Sequence, residues 1–200
     1  MEQIRSFIAI ELPDELKSEL VQLEARLKSG GQFRVKWVDP NGIHLTLKFL
    51  GDIAADRVEE IVGAMEEAAR GISTFQLKVK GLGVFPNPKR AQVAWVGLSG
   101  EVDKLAQLQK SVESKLAPLG FAPESRRFTP HLTLARLRNQ VSPDERQRFG
   151  QLITGTAFEA DCAIEVDAIS LIRSQLTREG AIYTRINSVR LEKPLSTDEA

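Results

Sequence analysis

The chain has little of what would announce a metal cage, a disulfide scaffold or a membrane anchor: its 200 residues include one cysteine and two histidines. Cys162 can close no internal disulfide and cannot build a zinc site alone, so it is expected as a small buried apolar residue in a reducing cytoplasm. The N-terminal apolar run Phe7-Ile8-Ala9-Ile10 is cut by Glu11 and Pro13. It is too short for a signal sequence or a membrane span and reads as the first strand of a soluble protein with no membrane partner. Net charge is missing too. Twenty-seven basic residues balance twenty-seven acidic ones, which removes the overall pull of a cationic protein on nucleic acid, so any polyanion must be held by a local patch.

What is present is order. Each histidine opens the same word, His44-Leu45-Thr46-Leu47 and His131-Leu132-Thr133-Leu134, and the two stand 131 − 44 = 87 residues apart. The remaining elements repeat at that offset. Ser6 to Glu11 reads as a strand, as does the run around Val93 to Leu98. Each is followed by an apolar stripe at helical spacing: Leu16, Leu20, Leu23 and Leu27, then Val102, Leu105, Leu108, Val112 and Leu116. A further helix follows each histidine word, Arg57 to Ala69 and Asp144 to Ile153, the latter opened by Ser142 as N-cap, Pro143 and Glu145. Closing strands are expected at Phe75 to Val84 and Cys162 to Leu171, with Gly83 to Arg90 as the joint between halves.

The pattern is strand, helix, histidine strand, helix, strand, twice. Neither half has enough strands to stand alone. The expected fold is α+β and bilobal, built from duplicated strand-helix-strand-helix-strand units with two mostly antiparallel sheets facing a central cleft. One domain is expected over residues 1–191, with pseudo-repeats at about 4–84 and 91–172, a closing strand at about 181–190 and a frayed tail over 192–200.

Side chains in a strand alternate, so His44 projects with Thr46, and His131 with Thr133, while the leucines and Phe49 point the other way. With the leucines buried under helices, a two-fold relation brings two imidazoles and two hydroxyls together in the cleft. Displacement at phosphorus wants that set: a base on the attacking water, an acid on the departing oxygen, and donors for the remaining oxygens. Chemistry alone leaves open which histidine is acid and which is base. A single His-x-Thr would be a weak signal, but by chance both histidines would carry it only about once in several hundred chains. No cofactor is expected and no metal, since a structural zinc would want four good donors.

The two motifs, the opening Arg5-Ser6-Phe7-Ile8-Ala9-Ile10, the stretch Lys36-Trp37-Val38 ahead of Gly42 to Gly51, the segment Phe128 to Arg136 and the late Gly180-Ala181-Ile182-Tyr183 together resemble the two-histidine (2H) phosphoesterases. Within them, the chain is similar to the RNA 2',3'-cyclic phosphodiesterases, also called 2'-5' RNA ligases. The resemblance implies hydrolysis of a terminal 2',3'-cyclic phosphate on RNA or an oligonucleotide to a 2'-phosphate. By motif it makes His44 the proton donor and His131 the proton acceptor, with Thr46 and Thr133 on the phosphate. Run backwards, the same site would form a 2'-5' linkage.

Four further substrate-binding candidates follow. Arg136 is a good phosphate clamp, although plain alternation turns it to the leucine face unless the strand bulges. Lys48 has the parity to extend the His44-Thr46 row, and Phe7 and Trp37 could stack on a base. Arg126 and Arg127, with Arg136 and Arg138, make the second motif the most basic neighbourhood. The rival reading of a different class is a non-catalytic nucleotide or RNA binding module on the same fold. The default assembly is a monomer without an obligate protein partner.

Overall fold

The computed structural model describes residues 2–193. Among these residues four α-helices form where apolar residues recur at three- and four-residue steps: α1 (Asp14–Ser29), α2 (Val58–Ala69), α3 (Val102–Leu116) and α4 (Pro143–Gly155). The stripes read from the sequence are the buried ones, with Leu16, Leu20, Leu105, Leu108, Val112 and Leu116 fully enclosed. Burial of each such side chain stabilises by roughly 1.5–3 kcal/mol. α4 begins as expected, the Ser142 hydroxyl accepting from the Glu145 amide at 3.2 Å.

Among the described residues nine strands make two sheets. β1 (Gln3–Ile10), β3 (Leu45–Ala54), β8 (Ala168–Leu176) and β9 (Ala181–Arg190) form one in the order β3-β1-β8-β9. The other is β2-β6-β5-β4-β7, from β2 (Val35–Trp37), β4 (Phe75–Phe85), β5 (Val93–Gly100), β6 (Leu132–Leu137) and β7 (Glu159–Val166). All strand pairs within the sheets are antiparallel. Each sheet draws strands from both halves of the chain. The helices cross over as well, α1 packing on β7 while α2 and α3 pack together and against β9 and β3.

Three expectations are corrected. The run Cys162 to Leu171 is two strands in different sheets, broken at Asp167. There the chain crosses over, the Asp167 carbonyl accepting from the Leu191 amide at 2.8 Å and its carboxylate pairing with Arg190 at 2.8 Å. Gly83 to Arg90 is no joint between lobes. Gly83 to Phe85 stay in β4, and the following residues close the β4–β5 hairpin, with the Asn87 side chain accepting from the amides of Lys89 and Arg90. Glu192 does not fray: it exchanges backbone hydrogen bonds with Ile72 and Thr74, and its carboxylate accepts from the Gly71 amide at 2.8 Å. The rest of the expected tail from 194 onward lies outside the described residues. Cys162 is half-buried, its thiol pushed up to about 11 by burial and by the neighbouring Glu19.

Candidate active site

Both histidines stand one residue ahead of a strand, and both are fixed by the chain two residues before them. A turn over Pro40–Gly42, capped by the Asp39 side chain, aims the Gly42 carbonyl at His44 Nδ1, 2.8 Å away. Thr129 does the same for His131, its carbonyl 2.7 Å from Nδ1. A carbonyl can only accept, so each Nδ1 carries a hydrogen and donates it. Nε2 is left as the nitrogen of each ring open to the cleft. Each imidazole is also held edge to face by aromatic rings, His44 by Tyr183 at 5.1 Å and Phe7 at 5.7 Å, His131 by Phe85 at 5.0 Å between centroids.

The strands that carry the threonines are bulged in the same way. Along β3 the partners in β1 run Leu45 with Ile10, Thr46 with Ala9, Lys48 with Ile8 and Phe49 with Phe7, Leu47 being skipped. Along β6 the partners in β5 run Leu132 with Val96, Thr133 with Trp95, Ala135 with Ala94 and Arg136 with Val93, Leu134 being skipped. The extra residue turns into the core and reverses the parity of the residues that follow, in β3 as far as a second bulge at Leu50. Thr46 and Thr133 face the cleft as alternation requires; beyond the bulges, Phe49 and Arg136 face it as well.

This settles where the further candidates lie. Arg136 stands beside Thr133 on the cleft wall, because the strand bulges. Lys48 does not extend the histidine row. Paired with buried Ile8, it turns toward α3, where its ammonium meets Glu113 Oε2 at 2.6 Å and donates to the Ala122 carbonyl at 2.9 Å. Phe49, expected among the leucines, is 66% exposed. Phe7 lies on the cleft face in a small cluster with Ala9, Ile172 and Tyr183, apart from the main core. Trp37 borders neither cavity of the cleft. Its ring packs on Phe149 at 6.4 Å with the Lys28 ammonium 5.3 Å from its centroid.

The cleft has two chambers, of about 320 and 760 Å³, which share His44, Thr46, Phe49, Thr133 and Arg136. The smaller adds Phe7, Tyr183, Arg5 and Leu176; the larger adds His131, Phe85, Phe128, Arg126 and Arg127. The family model described as LigT like phosphoesterase matches the chain twice, over residues 10–95 and 96–183. The chain belongs to the LigT-like phosphoesterases. It is 33% identical over 189 residues to the RNA 2',3'-cyclic phosphodiesterase of Methanothermobacter thermautotrophicus, covering 94% of this chain and all of that one. The protein of the same name from Aquifex aeolicus is 34% identical, with 96% of this chain and 99% of that one covered. The crystal structure of E. coli LigT complexed with 3'-AMP superposes with a TM-score of 0.74 at 25% identity, covering 96% of this chain and all of that one.

In this LigT-like phosphoesterase the surroundings of the two histidines are similar in burial and different in charge. Burial pushes both below the ordinary histidine range, and the hydrogen bond to a carbonyl opposes it in each case. Beyond that, Glu11 pulls His44 back up, outweighing Lys17, while Arg136 pushes His131 further down. Among the described residues Arg5, Arg126, Arg127 and Arg136 pair with no carboxylate, so the cleft is locally cationic in a neutral chain. Among the same residues no three His, Cys, Asp or Glu side chains gather as a metal-ligand set, and no helix is long and apolar enough to cross a membrane. The motifs assign no site role to Phe49, Phe85, Tyr183 or Glu11. The offset does point to one of them, since 136 − 87 = 49.

Proposed function

We propose that the chain hydrolyses the terminal 2',3'-cyclic phosphate of an RNA or oligonucleotide to a 2'-phosphate, with His44 as proton donor and His131 as proton acceptor. The observation that carries this reading is the matched pair of Nδ1 hydrogen bonds to Gly42 and Thr129, which frees both Nε2 atoms on one cleft beside two threonines. Relatives named RNA 2',3'-cyclic phosphodiesterase, at 33% and 34% identity across nearly the whole chain, support the substrate class. The 3'-AMP bound by E. coli LigT supports a nucleotide in the cleft.

In the reaction, water attacks phosphorus and gives a proton to His131 Nε2 as the new P–O bond forms. The bond from phosphorus to the 3'-oxygen breaks on the opposite side, and His44 Nε2–H supplies that oxygen's proton. Thr46 and Thr133 donate to the non-bridging oxygens, and Arg136 clamps them with a guanidinium suited to phosphate. The fixed charges favour this division of labour. Arg136 discourages a proton on His131, which must start neutral, and Glu11 encourages one on His44, which must start charged. With a 5'-hydroxyl in place of water, the same path forms a 2'-5' linkage.

Incubating the purified protein with a dinucleotide that ends in a 2',3'-cyclic phosphate, and following it by phosphorus NMR, tests the reading. A 2'-phosphate product is expected. Exclusive formation of a 3'-phosphate would overturn the assignment of the leaving oxygen, and tight binding without turnover would make the chain a nucleotide-binding module.

A further inference from the structure

A row of cations leaves the cleft along the edge of the second sheet. β2 and β6 pair with Lys36 opposite Arg136 and Val35 opposite Leu137, and the ladder runs one step further, the Arg138 amide donating to the Arg34 carbonyl at 2.9 Å. Residues opposite each other in a ladder share a face, and the next pair along takes the other. Val35, Trp37, Ala135 and Leu137 pack into the core. Arg34, Lys36, Arg136 and Arg138 therefore stand together on the opposite face, all four exposed. It is the face that Arg136 presents to the cleft. Arg136 borders both chambers, whereas Lys36, Arg34 and Arg138 lie beyond them, where β2 forms the edge of the sheet.

Two like-charged pairs directly opposite one another work against the strand pairing that holds them. Nothing in the protein offsets this. Among the described residues none of the four side chains meets a carboxylate. Glu145 accepts from the main-chain amide of Arg34 at 2.7 Å and makes no ion pair with its guanidinium. In a chain whose charges balance overall, such a grid is stabilised by anions from outside, and its geometry says which kind. The two pairs stand two strand residues apart, roughly 6.6 Å. That is close to the step between successive phosphates of a single RNA strand, and the grid begins at the arginine that clamps the reacting phosphate.

We infer that Lys36, Arg34 and Arg138 form a docking track for the phosphodiester backbone of a single RNA strand whose cyclic end lies at Arg136. The hydrolysis reading identifies the polyanion, and the inference rests on it there. Contacts of this kind go to phosphate, so the track holds RNA without reading its sequence and loosens as salt rises. It also sets the preferred substrate. A mononucleotide ends at Arg136 and gains nothing from the track, while a chain of several nucleotides reaches all of it.

The test titrates a labelled RNA of about ten nucleotides, ending in a 2'-phosphate, against wild type and the triple variant Arg34→Gln, Lys36→Gln, Arg138→Gln over a range of salt. Turnover of adenosine 2',3'-cyclic phosphate by both proteins is measured alongside. The variant should bind the RNA about tenfold or more weakly at low salt, and its slope of log Kd against log salt should fall by about two, at about 0.7 for each of three lost phosphate contacts. Its kcat/KM on the mononucleotide should stay within about twofold of wild type. An unchanged Kd and slope would overturn the track. So would an equal loss on the mononucleotide, the signature of a damaged scaffold, or equally tight, track-dependent binding of a glutamate decapeptide, which would make this a surface for acidic protein. Wild type failing to turn over the mononucleotide would remove the hydrolysis reading, and the titration, which needs no turnover, would still decide the track.

Discussion

Replacing Lys48 with methionine should damage the fold more than the chemistry. Although Lys48 borders the larger chamber, its ammonium is committed to Glu113 at 2.6 Å and the Ala122 carbonyl at 2.9 Å, with side chains 2% and 12% exposed for lysine and glutamate. The variant strands a carboxylate and a carbonyl. Removing one partner of a buried pair costs about 3–5 kcal/mol. Two features pull the figure down: Glu113 keeps a 3.2 Å hydrogen bond from Gln109, and it touches solvent. About 2–4 kcal/mol is expected, which for a chain of this size lowers Tm by roughly 5–15 °C. Adding Glu113→Leu removes the orphaned charge and should recover most of the loss, since a well-packed apolar pair often matches a buried ion pair. Urea unfolding gives the stabilities. At temperatures where both variants stay folded, kcat/KM should remain within about threefold of wild type. An unchanged Tm together with a large loss of kcat/KM would show instead that the ammonium works on the phosphate.

The two histidines should give a bell-shaped dependence of kcat/KM on pH, and its limbs should move separately. Arg136→Gln removes a charge that lowers His131, so the pKa of the base rises and the acidic limb shifts to higher pH, with kcat/KM falling about tenfold or more for the lost phosphate contact. Glu11→Gln removes a charge that raises His44, so the pKa of the acid falls and the basic limb shifts to lower pH. A pH–rate profile of each variant checks both directions, and a shift of the opposite limb would exchange the roles. Gly83→Ala should disturb both stability and rate, because a Cβ there would lie 2.2 Å from Cζ2 of Trp95, whose ring sits 6.5 Å from that of His131. Overpacking of that kind costs about 1–3 kcal/mol, measurable by urea unfolding, and a wild-type kcat in this variant would show that the indole does not set the imidazole.

The elements and the meeting of His44, Thr46, His131 and Thr133 on one cleft could be read from residue periodicity and a repeated word, because both depend on neighbours close in sequence. Leucines three and four apart mark a buried helix face wherever the helix ends up, and His-x-Thr marks one strand face for two residues. Beyond that span the reading fails at identifiable points. A period of two cannot foresee a bulge, so it turned Lys48 toward the cleft and Phe49 toward the core, and it left Arg136 dependent on whether β6 stayed regular. A continuous β-rich run does not reveal that Asp167 passes the chain from one sheet to the other. Nor does a half-repeat show that each sheet is built from both halves, which depends on long-range pairing alone. Trp37 shows the remaining limit: an aromatic near a motif looks the same whether it meets a base or, as here, Phe149 and Lys28.

The division of labour between the histidines is tested most directly by changing the leaving atom. In a dinucleotide 2',3'-cyclic phosphate whose 3'-oxygen is replaced by sulfur, the departing thiolate needs no proton, so a general acid becomes dispensable while the base does not. On the oxygen substrate, His44→Ala and His131→Ala should each lose about 10²–10⁴ in kcat. On the sulfur substrate, His44→Ala should return to within about tenfold of wild type while His131→Ala stays low. Rescue of His131→Ala instead would assign the acid to the second motif, and near-wild-type turnover of the oxygen substrate by either variant would end the case for paired imidazole catalysis.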